Sequence, residues 1–145
     1  LLSKTILLYT TLLFLLIGCI AETPSELKLE LNFNEVVIEE PFTLERYCIE
    51  RYDSILIVLP YFDTEKAVFT NLNMSNGLES LCSINTVSET ISTILFIKGN
   101  KVKAYTIAER EIADFVTTEL EKHYIFPINQ KFIMDKERKI HIYDK

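Results

Sequence analysis

Tryptophan is absent from the 145 residues, and glycine (three), histidine (two) and methionine (two) are scarce. Only Gly77 and Gly99 lie beyond residue 18, so the glycine-rich turns that cradle phosphate against backbone N–H groups have no material to be built from. Neither glycine belongs to the G-x-S-x-G setting of a nucleophile elbow. The histidines, His123 and His141, fall in no H-E-x-x-H or Cys/His ligand spacing, which argues against a metal site. His141 reads as a solvent-facing strand residue rather than a general base. Positive charge is short as well: 15 Lys and Arg stand against 21 Asp and Glu, net −6, which argues against a nucleic-acid partner, since such partners need their phosphates neutralised. Of the carboxylates, adjacent Glu39 and Glu40 would point to opposite faces of a strand, and Asp63 with Glu65 fits a solvated turn. The sequence therefore predicts a protein that is not an enzyme and takes no cofactor.

What the chain does have begins at its N-terminal end. Lys4 precedes a run from Ile6 to Ile17 that is apolar except for Thr10 and Thr11, and small Gly18 and Cys19 follow. This is the pattern of a signal peptide. The run is short for a membrane span, which takes about 20 apolar residues, and it stops at Glu22, Thr23, Pro24 and Ser25. An uncleaved signal anchor and an ordinary secretory leader are the competing readings.

The stretch Leu16-Ile17-Gly18-Cys19 resembles the lipobox of bacterial lipoproteins. The resemblance covers about twenty residues and implies nothing about the fold downstream. It implies cleavage between Gly18 and Cys19, a diacylglycerol on the Cys19 thiol and, in many bacteria, a further acyl chain on the new amino group. Two or three chains hold a protein firmly where one gives marginal binding. In Gram-negative lipoproteins an Asp after the cysteine commonly retains the protein at the inner membrane; Ile20 stands there, so the expected address is the outer membrane, facing the periplasm. Loss of residues 1–18 removes Lys4 alone among the charged residues and takes the net charge from −6 to −7.

With Cys19 assigned to lipid, Cys48 and Cys82 remain as a pair in an oxidising compartment and are expected to form a disulfide. The closed loop of about 34 residues would contribute roughly 3 to 4 kcal/mol. The alternative is two separately buried thiols, since free cysteine packs as a small hydrophobe.

Residues 19–26 read as the lipidated cysteine and a short polar tether, and 27–145 as a single globular domain. Alternation of Leu27, Leu29, Leu31 and Phe33 with polar residues predicts a strand, which Val36 to Ile38 continue or pair with. Residues 43–51 lean towards strand. Residues 54–59 (Ser-Ile-Leu-Ile-Val-Leu) predict a central strand buried on both faces. Residues 63–83 mix turn residues with a short strand near Val68 and a helical turn near residues 78–82. Residues 93–98, Gly99-Asn100 and 101–107 predict a hairpin, and residues 131–134 with 138–143 a second one, with Ile140 and Ile142 on one face.

Residues 108–123 read as the main helix, through a stripe of Ile112, Phe115, Val116 and Leu120. The expected class is α+β, a small antiparallel sheet with that helix on one face; the alternative is an all-β sandwich with a peripheral helix.

Charge is uneven: residues 22–53 hold nine acidic and three basic side chains, whereas residues 98–145 hold ten basic and eight acidic. Such a split can steer a protein partner. The expectation is an envelope lipoprotein that binds a protein, with immunity proteins that block a periplasmic toxin as one such class and assembly subunits as another. The alternative is a glycan-directed binding module or hydrolase of the cell wall.

Overall fold

The computed structural model describes residues 22–116, 120 and 124–144. In chain order the elements are β1 (Leu27–Lys28), β2 (Pro41–Thr43), β3 (Ser54–Val58), α1 (Ala67–Thr70), α2 (Asn76–Thr86), β4 (Ile91–Lys98), β5 (Lys101–Glu109), β6 (Asp114–Phe115), β7 (Ile125–Pro127), β8 (Lys131–Met134) and β9 (Lys139–Ile142). Single 3-10 turns lie at Phe33–Glu35 and Leu44–Tyr47.

Two sheets result, one of five strands in the order β1-β5-β4-β3-β7 and one of four in the order β2-β8-β9-β6. Each contains one parallel pair, β1 with β5 and β6 with β9, among antiparallel neighbours. The class is α+β, with one main helix among the described residues.

Strand alternation explains the layering. Ile55, Ile57, Ile94 and Phe96 point to one side of the larger sheet and pack with Phe42, Phe115, Phe132, Met134 and Ile140 of the smaller sheet. Leu56, Val58, Leu95 and Ile97 point to the other side and pack with Phe69, Leu78 and Cys82 of the helices. The larger sheet is thus covered by helices on one face and by the second sheet on the other. Both faces being dry accounts for the continuous apolar runs in β3 and β4. One bulge interrupts the ladder: Phe96 pairs with Ala104 and Ile97 with Val102, so Lys103 is the extra residue.

Helix α2 starts where Ser75 caps it, the Ser75 Oγ accepting from Leu78 N at 3.2 Å. Glu26 reinforces this cap by accepting from Ser75 N and Ser75 Oγ, both at 2.6 Å. The chain before β1 lies directly on the helix. A Cβ at Gly77 would sit 2.4 Å from Thr23 C and 2.7 Å from Pro24 N, so only glycine admits the approach.

Several expectations are corrected. Residues 108–123 are not one helix. Ala108 and Glu109 end β5, Ala113 N closes a turn on Glu109 O at 2.9 Å, and Asp114 and Phe115 pair with Lys139 and Ile140 as β6. Pairing with a strand more than twenty residues away outweighs the local helical spacing. Phe115 and Leu120 are buried as expected, and Ile112 packs against the same core. Residues 117–119 and 121–123 lie outside the described residues, as does His123.

The main helix is α2, where only a turn is expected, and Val68 lies in helix α1 rather than a strand. The alternation from Leu27 to Phe33 gives only the two-residue β1, after which Leu29 and Phe33 enter the core from a loop and a 3-10 turn. Within 43–51, residues 44–47 form a 3-10 turn instead of a strand. Both hairpins and the central β3 stand where the sequence places them.

The expected Cys48–Cys82 disulfide is not formed. Both thiols are free. Cys48 packs on the side facing the smaller sheet and Cys82 is buried on the helical side, so the larger sheet stands between them. Disulfide geometry requires Cα atoms about 4.4 to 6.8 Å apart, which a sheet between the residues does not allow.

Candidate protein-interaction surface

Large apolar side chains left in water gather at the C-terminal end of α2. Ile84 and Val87, one helical turn apart, are 64% and 75% exposed, and Tyr61 is 71% exposed. Tyr61 belongs with them because its N–H donates to Thr86 O at 2.6 Å, which fixes the loop after β3 against the helix end.

Tyr61 adopts φ +61°, a left-handed conformation that a tyrosine takes at a cost of about 1 to 2 kcal/mol. The next residue, Phe62, is buried and meets the Tyr124 ring edge-on at 4.8 Å. Burial of Phe62 and the bond to Thr86 together hold the strained residue with its ring outside. Stored backbone strain of this kind concentrates at functional positions.

An acidic rim adjoins the patch. The Tyr61 hydroxyl is hydrogen-bonded to the Glu89 carboxylate, which pushes the phenol pKa up. Arg110 holds this edge in place: its Nη1 donates to Glu89 O at 2.9 Å, and its Nε and Nη2 donate to the two Asp114 oxygens at 2.6 and 3.2 Å. Beyond Glu89, a shallow depression of about 250 Å³ is lined by Thr90, Ile91, Glu109 and Glu111. The face therefore has an apolar centre and three carboxylates, Glu89, Glu109 and Glu111, along one edge. Aromatic and aliphatic centres with a charged rim are the anatomy of protein interfaces.

Other candidates have local structural explanations. His141 Nε2 lies 3.0 Å from Asp135 Oδ2, while Asp135 Oδ1 accepts from the N–H groups of Glu137 and Lys139, both at 2.9 Å. The bond to His141, helped by the two N–H groups, holds the Asp135 carboxyl below the ordinary carboxylate value. This arrangement closes the β8–β9 turn. Asp63 accepts from Glu65 N at 3.0 Å, as a turn residue does. Glu39 is exposed and lies 3.6 Å from Lys136.

An open cleft of about 440 Å³ is lined by Glu45, Arg51, Tyr52, Asp53, Ile128 and Asn129. Its Asp53 is tied to the hairpin turn, accepting from Gly99 N at 2.7 Å. Among the described residues no three of His, Cys, Asp and Glu gather as metal ligands.

Of the site residues expected from sequence, Gly18 and Cys19 lie outside the described residues, and Cys48 and Cys82 are apart. Tyr61, Ile84, Val87 and Glu89 were not singled out by sequence. Their signal is faint: Ile84 and Val87 fall off the Leu78–Cys82–Asn85 stripe that α2 buries. The acidic rim also comes from Glu89, Glu109 and Glu111 rather than from the acidic stretch 22–53. No protein-family model, curated protein or solved structure matches this chain.

Proposed function

We propose that the chain is an envelope lipoprotein, anchored through Cys19, whose domain binds a protein partner with the Tyr61, Ile84 and Val87 face rather than performing catalysis. The observation that carries the reading is Tyr61, strained at φ +61° yet 71% exposed beside two exposed aliphatic residues. Exposed apolar groups so grouped gain most from a partner that removes them from water, about 25 cal/mol per Å² of apolar surface buried.

The carboxylates of Glu89, Glu109 and Glu111 favour a partner with basic residues around an apolar spot. A basic periplasmic toxin neutralised by an immunity protein fits this chemistry, as does a basic subunit of an envelope assembly. The lipid half of the reading rests on Leu16-Ile17-Gly18-Cys19. Among the described residues no helix is long and apolar enough to cross a membrane, which is compatible with attachment by lipid.

The test is site-specific photo-cross-linking in cells, with the reactive group at Val87 and, as control, at Lys136 on the β8–β9 turn. The expected result is one protein adduct from Val87, lost when Ile84 is changed to Asp, and none from Lys136. Adducts from both positions alike, or from neither, would overturn the assignment of this face.

A further inference from the structure

The segment before β1 is clasped to the domain. Thr23 and Pro24 rest on Gly77 with no room for a Cβ, Ser25 N donates to Ser75 Oγ at 3.3 Å, and Glu26 takes two hydrogen bonds from Ser75 at 2.6 Å. A tether so fixed transmits the position of its anchor to the domain.

The direction of that tether is set by pairing. β1 is parallel to β5, with Leu27 opposite Ala104, so the chain preceding Leu27 runs towards the start of β5 and the Gly99-Asn100 turn. The turn is tied to the same corner: Asn73 N donates to Asn100 O at 2.8 Å and Val102 N to Asn73 O at 3.0 Å, two residues before the Ser75 that donates to Glu26.

The hairpin turn itself is basic. Lys98 and Lys101 are directly opposed on the hairpin and Lys103 stands out at the bulge, all three exposed and without an ion-pair partner among the described residues. Asp53 is the carboxylate joined to the turn, through Gly99 N. Like charges facing each other across a hairpin are unfavourable unless an anion lies between or near them.

We propose that the clasp holds the domain on its membrane with the β4–β5 turn downward, so that Lys98, Lys101 and Lys103 meet the phosphates of anionic phospholipid headgroups. This rests on lipid attachment at Cys19. From Cys19 to Glu22 the covalent reach is at most about 11 Å, so the anchor keeps the clasped segment close to the membrane surface. The turn, on the side to which the chain before Leu27 runs, is then the part of the hairpin nearest the headgroups, and each lysine that meets them contributes roughly fivefold to binding. The hairpin then extends about 24 Å from the turn to its other end, where Glu109 pairs with Ile91 beside Glu89. The basic end faces lipid and the acidic, apolar end faces outward.

The test uses the full mature lipoprotein in vesicles of phosphatidylcholine, with or without a third of phosphatidylglycerol, probed by lysine acetylation and mass spectrometry. Lys98, Lys101 and Lys103 should be protected at least threefold by the anionic vesicles, with Lys136 unchanged. Gly77→Ala, which forces Thr23 and Pro24 off the helix, should abolish this protection while the protein still floats with the vesicles. Glu26→Gln, which weakens the same clasp without a steric clash, should reduce it. Equal labelling of all four lysines on floating vesicles would overturn the orientation but leave the lipid anchor standing. Protection that survives Gly77→Ala would overturn the clasp as its cause, and failure of the wild-type protein to float would overturn the anchor and the orientation together.

Discussion

Cys48 and Cys82 lie on opposite sides of the five-stranded sheet, one against the Phe42–Phe132 core and the other on the buried face of helix α2. Burial, with Glu45 adding to it at Cys48 and Glu26 and Glu79 at Cys82, pushes their thiols up to about 11 and about 12. Neither carries appreciable thiolate at neutral pH, and the thiolate is the reactive form. The mature protein, never exposed to reductant, should therefore react slowly with a thiol reagent when native and show two free thiols in guanidinium. A count of zero in denaturant would contradict the structure.

Phe115 is 1% exposed, with its ring edge-on to Phe33 at 6.3 Å and to Phe132 at 6.0 Å. Phe115→Ala should cost about 3 to 5 kcal/mol, as removal of a buried ring does. Glu111→Ala, at an exposed residue four positions earlier, should stay within about 0.5 kcal/mol. Urea melts compare the two, and similar small losses would mean that Phe115 does not join the sheets.

The contrast at Phe115 shows what sequence could carry. Its burial is legible from the apolar spacing of Ile112, Phe115, Val116 and Leu120, yet the same spacing suggests a helix. Strand β6 depends on residues far along the chain: Arg138 donates to Ile112 O at 2.6 Å and to Phe33 O at 3.0 Å, and Phe115 pairs with Ile140. No local pattern reports such contacts. The β4–β5 hairpin is legible because β-branched runs flank Gly99-Asn100, with Gly99 at φ +63°. The candidate face is not, since it arises from a strained Tyr61 meeting the end of a helix twenty-five residues later.

Tyr61 predicts a conflict between stability and binding. Glycine relieves the positive φ that alanine retains, so Tyr61→Gly should be more stable than Tyr61→Ala by about 1 kcal/mol. Both should lose the Val87 cross-link equally. Thermal melts check the first statement, and equal stability of the two variants would show that the backbone there is unstrained.

Glu26 gives a pH dependence. Burial raises its carboxyl, and hydrogen bonds, from Ser75 first and from the backbone N–H groups of Ser25 and Glu26, together outweigh burial, leaving the pKa below the ordinary 4.5. A carboxyl depressed by folding contributes stability above its unfolded pKa and loses it as pH falls through the folded value. Wild type should exceed Glu26→Gln by about 1 kcal/mol at pH 7, and the difference should shrink as pH falls below the ordinary 4.5 and through the lowered folded value. A difference that persists unchanged at pH 3 would mean that the charge of Glu26 does not hold the clasp.

Lipid on Cys19 is the proposed tie between this protein and its membrane. Its most direct test is the mass of the N-terminal peptide of the protein taken from cell membranes. The expected peptide begins at Cys19 and carries a diacylglycerol on sulfur, and Cys19→Ser should release an unlipidated protein from the membrane fraction. A peptide that still contains residues 1–18, or a Cys19→Ser protein that stays bound with its leader intact, would contradict it.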